Sequence, residues 1–168
     1  MPEKKVLDRA KKDGRQGKSP STQAGEFVRE EFEHIREGKH GARSAKQAIA
    51  IGLSKARRAG IPLRAPKSGA ATAETRSKAE HDYQEGQSAD GHKVSRTRSR
   101  ATTKALRREG RSAASPEAIA RQARSSARGR TAASRSSSAQ KAVRTKGPAA
   151  RSAAARKAAR TRAKHGSA

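Results

Sequence analysis

Between Ser44 and Gly60, the positions Ala45, Ala48, Ile49, Gly52, Leu53, Ala56 and Ala59 recur at the three-and-four spacing of one helix face. Lys46, Arg57 and Arg58 fall off that stripe, Lys55 lies at its edge, and Ser54 falls on the polar side. Ser44 followed three residues later by Gln47 is a capping-box start, in which each side chain satisfies the other residue's N–H. Gly60 supplies a left-handed stop and Pro62 blocks continuation. A second stripe, Ala24, Val28, Phe32 and Ile35 with Phe27 beside it, predicts a helix from a Ser21 or Thr22 cap to about Glu37, closed by Gly38. Glu26, Glu30, Glu33 and Glu37 lie elsewhere on its surface. The connection 38–43 has the length that joins antiparallel helices. Residues 21–63 therefore predict an αα-hairpin, with Ile61 and Leu63 folding back over its open end.

The remaining pattern is weaker. Residues 1–20 alternate lysines with Asp8 and Asp13 and are interrupted by Gly14, Gly17 and Pro20, which predicts a disordered arm with at most a turn around Val6 to Lys12. Residues 64–94 are a Ser/Gly/Ala-rich linker with room for a short helix from Thr75 to Glu85. Residues 95–168 are almost entirely Arg, Ala and Ser. Helical patches are legible there at Thr102–Glu109, from Ser115-Pro116-Glu117 to Gly129, at Ser136–Thr145, and at Ala149–Lys164. None has an apolar face able to bury a core, so the fold class expected is mostly α, a short hairpin head with a long, largely disordered tail of transient helices.

Composition sharpens this picture. The 168 residues carry a formal charge of +26 and an aromatic content of only 2%. High net charge with few large apolar residues is the signature of partial disorder. A core of nine large side chains is small for a free-standing hairpin, which would need a staple or a partner. Ile51, off the main stripe, is a candidate contact for a second copy, so a homodimer through the hairpin is one expectation. The absence of cysteine removes disulfide and thiolate chemistry. The opening residues lack the apolar core of a secretory signal, and the polar-free run Ala48–Leu53 is too short to cross a membrane. These features predict a cytoplasmic, nucleoid-located protein with no membrane association.

The segment KQAIAIGLSKARRAG, preceded by a short acidic helix ending Glu37-Gly38-Lys39, resembles the hallmark of a family of small, basic, uncharacterised bacterial proteins. That family's core is close to S-x-KQAIAIGLSEARR-x-G followed by a proline. The resemblance covers about residues 22–63 and runs through Lys46–Ser54 and Ala56–Arg58. Lys55 departs from the usual glutamate. The resemblance implies a fold unit and a bacterial source, and it supplies no catalytic residues. In composition the tail resembles those of linker histones and bacterial histone-like proteins.

Charge is segmented. Residues 1–38 are net +1, residues 39–67 carry eight cations and no acid, residues 68–94 are net −2, and residues 95–168 carry 21 cations and two acids. Cations that reach phosphates release counterions and drive binding without base readout. The expected function is non-enzymatic, sequence-nonspecific DNA binding of a histone-like kind. The expected contacts are Lys46, Lys55, Arg57 and Arg58 in the head, and Arg128, Arg130, Arg151, Arg156, Lys157, Arg160, Arg162 and Lys164 in the tail. An RNA- or ribosome-associated role satisfies the same electrostatics. A protein-interaction role, with the acidic Glu26–Glu37 helix as the binding element, is the third class. Arg128-Gly129-Arg130 has the core of a minor-groove hook, but it lacks flanking prolines and reads better as a helix stop. The five histidines are scattered without cysteines or a finger pattern, so no metal or other cofactor is expected. His81-Asp82 beside Tyr83 has no nucleophile constellation around it, so no catalytic site is expected either. Three aromatics are too few for base-stacking recognition.

Overall fold

The computed structural model describes residues 2–88 and 95–165, without the side chains of 145, 146, 164 and 165. Stretch 89–94 of the expected linker and the Lys164 side chain thus lie outside the described residues. The chain divides into two compact units, Met1–Ala123 and Arg124–Ala168. Every regular element among the described residues is helical: α1 (Lys4–Arg15), α2 (Pro20–Arg36), α3 (Ala45–Arg58), α4 (Ala73–Gln87), α5 (Arg96–Arg107), a single 3-10 turn (Ser112–Ala114), α6 (Pro116–Arg128) and α7 (Ala132–His165).

The α2–α3 hairpin is the centre of the first unit. The two helices approach closely at Gly52, where a Cβ would come within 2.7 Å of the Val28 Cα. Ser44 Oγ accepts the Gln47 N–H at 3.2 Å, as the capping box predicts. The return bond differs by one residue, since Gln47 Oε1 accepts from the Arg43 N–H at 2.8 Å. At the far end Gly60 sits at φ +84°, the Gly60 N–H bonds Arg57 O and the Ile61 N–H bonds Ala56 O. This double closure satisfies two orphan carbonyls and turns Ile61 onto the core. The start of α2 lies upstream of the expected cap, with Ser19 as N-cap and Pro20 in the first turn, where its missing N–H costs nothing.

Three other segments complete the hairpin, and each corrects a sequence expectation. The arm expected to be disordered over 1–20 forms α1, whose Val6 and Ala10 are buried with Ala24, Phe27, Ala56 and Ile61. Two apolar residues at i and i+4 suffice for one helix face, and Gly14 and Gly17 end that helix rather than prevent it. The linker helix is longer than expected, opening at Thr72, whose Oγ1 accepts the Thr75 N–H at 3.2 Å. It packs on α3 so closely that a Cβ at Gly86 would overlap the Arg57 carbonyl oxygen. The segment before α6 also belongs to the head. Ala113 and Ala114 are buried with Phe32, Ile35, Ala42, Ala45 and Ala48, and Arg36 Nε donates to Ala114 O at 3.2 Å. The Gly41 N–H bonds Leu106 O, and the Ala42 N–H bonds Gly110 O.

The core that looks too small for a lone hairpin is therefore closed by the same chain. Among the described residues, the exposed large apolar side chain is Val143, 43% accessible and located on α7 rather than on the hairpin. Ile51 is half-buried. Apolar side chains of the hairpin pack against Val6 and Ala10 of α1 and against Ala113 and Ala114 of the 3-10 turn.

The expectation of a largely disordered tail is not met either, because residues 96–107, 116–128 and 132–165 are helical. Serine and threonine caps start these helices. Ser95 Oγ accepts from Arg98 N–H, Ser115 Oγ from Ala118 N–H, and Thr131 Oγ1 from Ser134 N–H. Alanine and arginine carry the helices forward. α7 is two helices joined at a kink, where Gly147 has φ +64° and Pro148 follows. No helix among the described residues is long and apolar enough to cross a membrane.

Candidate nucleic-acid interface

Of the four head cations expected to face nucleic acid, Lys46 is exposed. The other three are engaged within the head. Lys55 Nζ donates to Glu31 Oε2 at 2.6 Å, and Glu31 is fully buried. Arg57 is buried, its Nε donates to Leu63 O at 3.1 Å, and burial lowers its pKa from the ordinary value while nearby Asp82 opposes the shift. Arg58 Nε donates to Asp82 Oδ1 at 2.7 Å while the rest of its side chain stays exposed. Lys55, at the edge of the stripe, is thus half-buried against α2, and Arg57, read as off the stripe, is buried against the chain after Gly60. Ser54 is likewise not on a polar surface, since its hydroxyl donates to Asp82 Oδ2 at 2.6 Å.

The acids of α2 are turned inward or paired. Glu26 pairs with Arg9 at 2.8 Å, Glu33 with Arg29 at 3.1 Å, and Glu37 with Lys39 at 3.0 Å. Glu30 is 2% exposed, and its Oε1 accepts the Glu3 backbone N–H at 2.6 Å. Glu33 and Glu37 nonetheless keep about half of their side-chain surface exposed.

The tail is the opposite case. Every lysine and arginine side chain described from Arg96 to Arg162 is exposed, including Arg128, Arg130, Arg151, Arg156, Lys157, Arg160 and Arg162. Arg128 is the last residue of α6; the Gly129 N–H continues the helical pattern to Ser125 O, and the Arg130 N–H bonds Ala127 O. Arg156 and Arg160 stand one turn apart on α7.

A further cationic row, on α5, is absent from the expected contact set. Arg96, Arg100, Lys104 and Arg107 fall at i, i+4, i+8 and i+11, and a shallow groove is lined by Arg100, Lys104, Arg107 and Arg108 with Ser99 and Thr103. At about 1.5 Å rise per residue the row spans about 16 Å, the axial length of roughly five phosphates on one strand. The spacing is present in the sequence, but it stands out only once the segment is one uninterrupted helix.

The structure also gathers histidines and carboxylates that are far apart in sequence. Glu31, His34 and His40 each bring a ligand-capable atom to within 4.8 Å of the others, as do Glu3, Glu30 and His34. The α2 stop creates this cluster. Gly38 at φ +78° turns the chain, the Lys39 N–H bonds His34 O, and His40 returns beside Glu31. His34-x5-His40 is visible in the sequence, but without cysteines it forms no finger signature, and only the burial of Glu31 reveals the partner.

The chain matches no family model, no curated protein and no solved structure.

Proposed function

We propose that this chain is a non-enzymatic, histone-like protein that binds duplex DNA without sequence preference by neutralising phosphates, and that it acts at the bacterial nucleoid. One observation carries the reading: residues 95–168 hold 21 cations and two acids, and every lysine and arginine side chain described there is exposed, most of them on helices. Helices that expose so many cations and, beyond Ala118 and Ile119 of α6, bury so little apolar surface gain little from folding on themselves and much from counterion release on a polyanion. The aromatics favour duplex over single strands. Phe27 and Phe32 are buried and Tyr83 is half-buried, which leaves no exposed stacking platform among the described residues.

The test is fluorescence anisotropy of the full chain with two unrelated duplexes of equal length and one RNA hairpin, in a salt series. Equal duplex affinities falling steeply with salt, with RNA weaker, support the proposal. RNA bound more tightly than either duplex transfers the reading to RNA, and a large preference for one duplex replaces phosphate neutralisation with base readout.

A further inference from the structure

The Glu31–His40 contact has one feature that hydrogen bonding alone does not resolve. His40 Nδ1 lies 3.1 Å from the carbonyl oxygen of Gly41. A carbonyl can only accept, so Nδ1 carries the proton, and in neutral imidazole Nε2 is then a lone pair. That Nε2 points at Glu31 Oε1 from 3.3 Å. Glu31 is 0% exposed, Lys55 occupies its Oε2, and its Oε1 accepts no hydrogen bond. With a neutral ring two acceptors face each other, an arrangement satisfied by a proton or a metal ion held between them.

From this we infer that Glu31, His34 and His40 form a binding site for a first-row divalent metal ion. The donor set is one carboxylate and two imidazoles, a combination that zinc and its neighbours accept. A tetrahedron with bonds of about 2.0–2.1 Å has edges of about 3.3 Å. The Glu31 Oε1 to His40 Nε2 separation of 3.3 Å already has that length. Glu31 and His34 lie three residues apart, on one face of α2. The two imidazoles are edge-on to one another at 6.0 Å between centroids, and each side chain is only 13% exposed. A ring N–H given to a backbone carbonyl, as His40 does, is also how metal-bound histidines are oriented. Access is from a cleft at the α2–α3 connection, lined by Gly38, His40, Gly41 and Arg111.

Isothermal titration of the full chain with Zn²⁺ at pH 7.5 tests the site, alongside His34→Gln, His40→Gln and the control His81→Gln. The expected result is one ion per chain, with affinity lost at least about tenfold in the first two variants and kept in the control. Retention of full affinity in both His34→Gln and His40→Gln overturns the site. So does a lack of saturable binding by the wild type, in which case a proton bridges Glu31 and His40. Should a variant fail to fold, Co²⁺ added to the wild type decides the matter: the His34 and His40 ring resonances must broaden before that of His81, and the reverse order overturns the site.

Discussion

The hydroxyl of Ser54 on α3 donates to Asp82 on α4, and Arg58 one turn later donates to the other oxygen of the same carboxylate. Asp82 is buried, so its charge is satisfied only while α3 and α4 stay together. Ser54→Ala should destabilise the head by about 1–2 kcal/mol, the range for a hydrogen bond to a charged group. Ser54→Asp should cost more, because a second carboxylate would meet Asp82 in a partly desolvated site. Urea unfolding followed by helical circular dichroism measures both. An aspartate variant as stable as the wild type would mean that α4 does not pack on α3 in solution.

The glycines offer an internal comparison. Gly86 approaches Arg57 O so closely that any Cβ must push α3 and α4 apart, whereas a Cβ on Gly25 in α2 would meet nothing within 4 Å. Gly25→Ala should stabilise the protein by about 0.8–1 kcal/mol through helix propensity alone. Gly86→Ala gains the same propensity, yet it should destabilise the protein because backbone cannot yield as a side-chain tip can. Thermal unfolding of the two variants in parallel gives the signs, and equal signs would refute the close approach.

Much of this head was legible in the sequence. The α2 and α3 stripes, the Gly38 and Gly60 stops and the fold-back of Ile61 all follow from local spacing and cap chemistry. What was not legible depends on which element lies next to which. Val6 and Ala10 are too few to announce a core helix until Phe27 and Ala24 are placed opposite them. Ala113 and Ala114 carry no helical signal, yet they close one end of the core. Lys55 and Arg57 read as surface cations because sequence cannot say that Glu31 and the Leu63 carbonyl are waiting for them. The His40–Glu31 juxtaposition is of the same kind, produced by a turn and a burial pattern rather than by a motif.

Acid should loosen the N-terminal helix through a specific contact. The Lys39 ammonium, and next the His34 ring, hydrogen-bond the Glu3 carboxylate and hold its pKa below the ordinary carboxylate value. A carboxylate depressed in the folded state stabilises it above the unfolded pKa, and that contribution is lost as pH falls through the lower folded value. Glu3→Gln should therefore be less stable than wild type at pH 7, with the difference shrinking below about pH 4.3, the ordinary value for glutamate. Glu3 is exposed, so the effect is small and screened by salt. A gap that widens toward low pH would have the wrong sign for this contact.

The division of binding between segments can be measured through the salt dependence. Ending the chain at Gly129 removes eleven cations and no acid, and it leaves the α5 row in place. Each lost phosphate contact reduces the log–log salt slope by about 0.9, so if half of the eleven contact phosphate the slope should fall by about 5. Reversing α5 with Arg100→Glu, Lys104→Glu and Arg107→Glu removes three cations from one face and adds three repelling charges there, so it should weaken binding further than its loss of about three slope units implies. Lys46→Gln, the head cation without an internal partner, should change the slope by no more than about one unit. Anisotropy titrations of the four proteins on one duplex give these slopes directly. If the Gly129 truncation keeps the full slope while the α5 reversal abolishes binding, the interface is the α5 groove alone and the long C-terminal helix serves another purpose. If Lys46→Gln has the largest effect, DNA is read by α3.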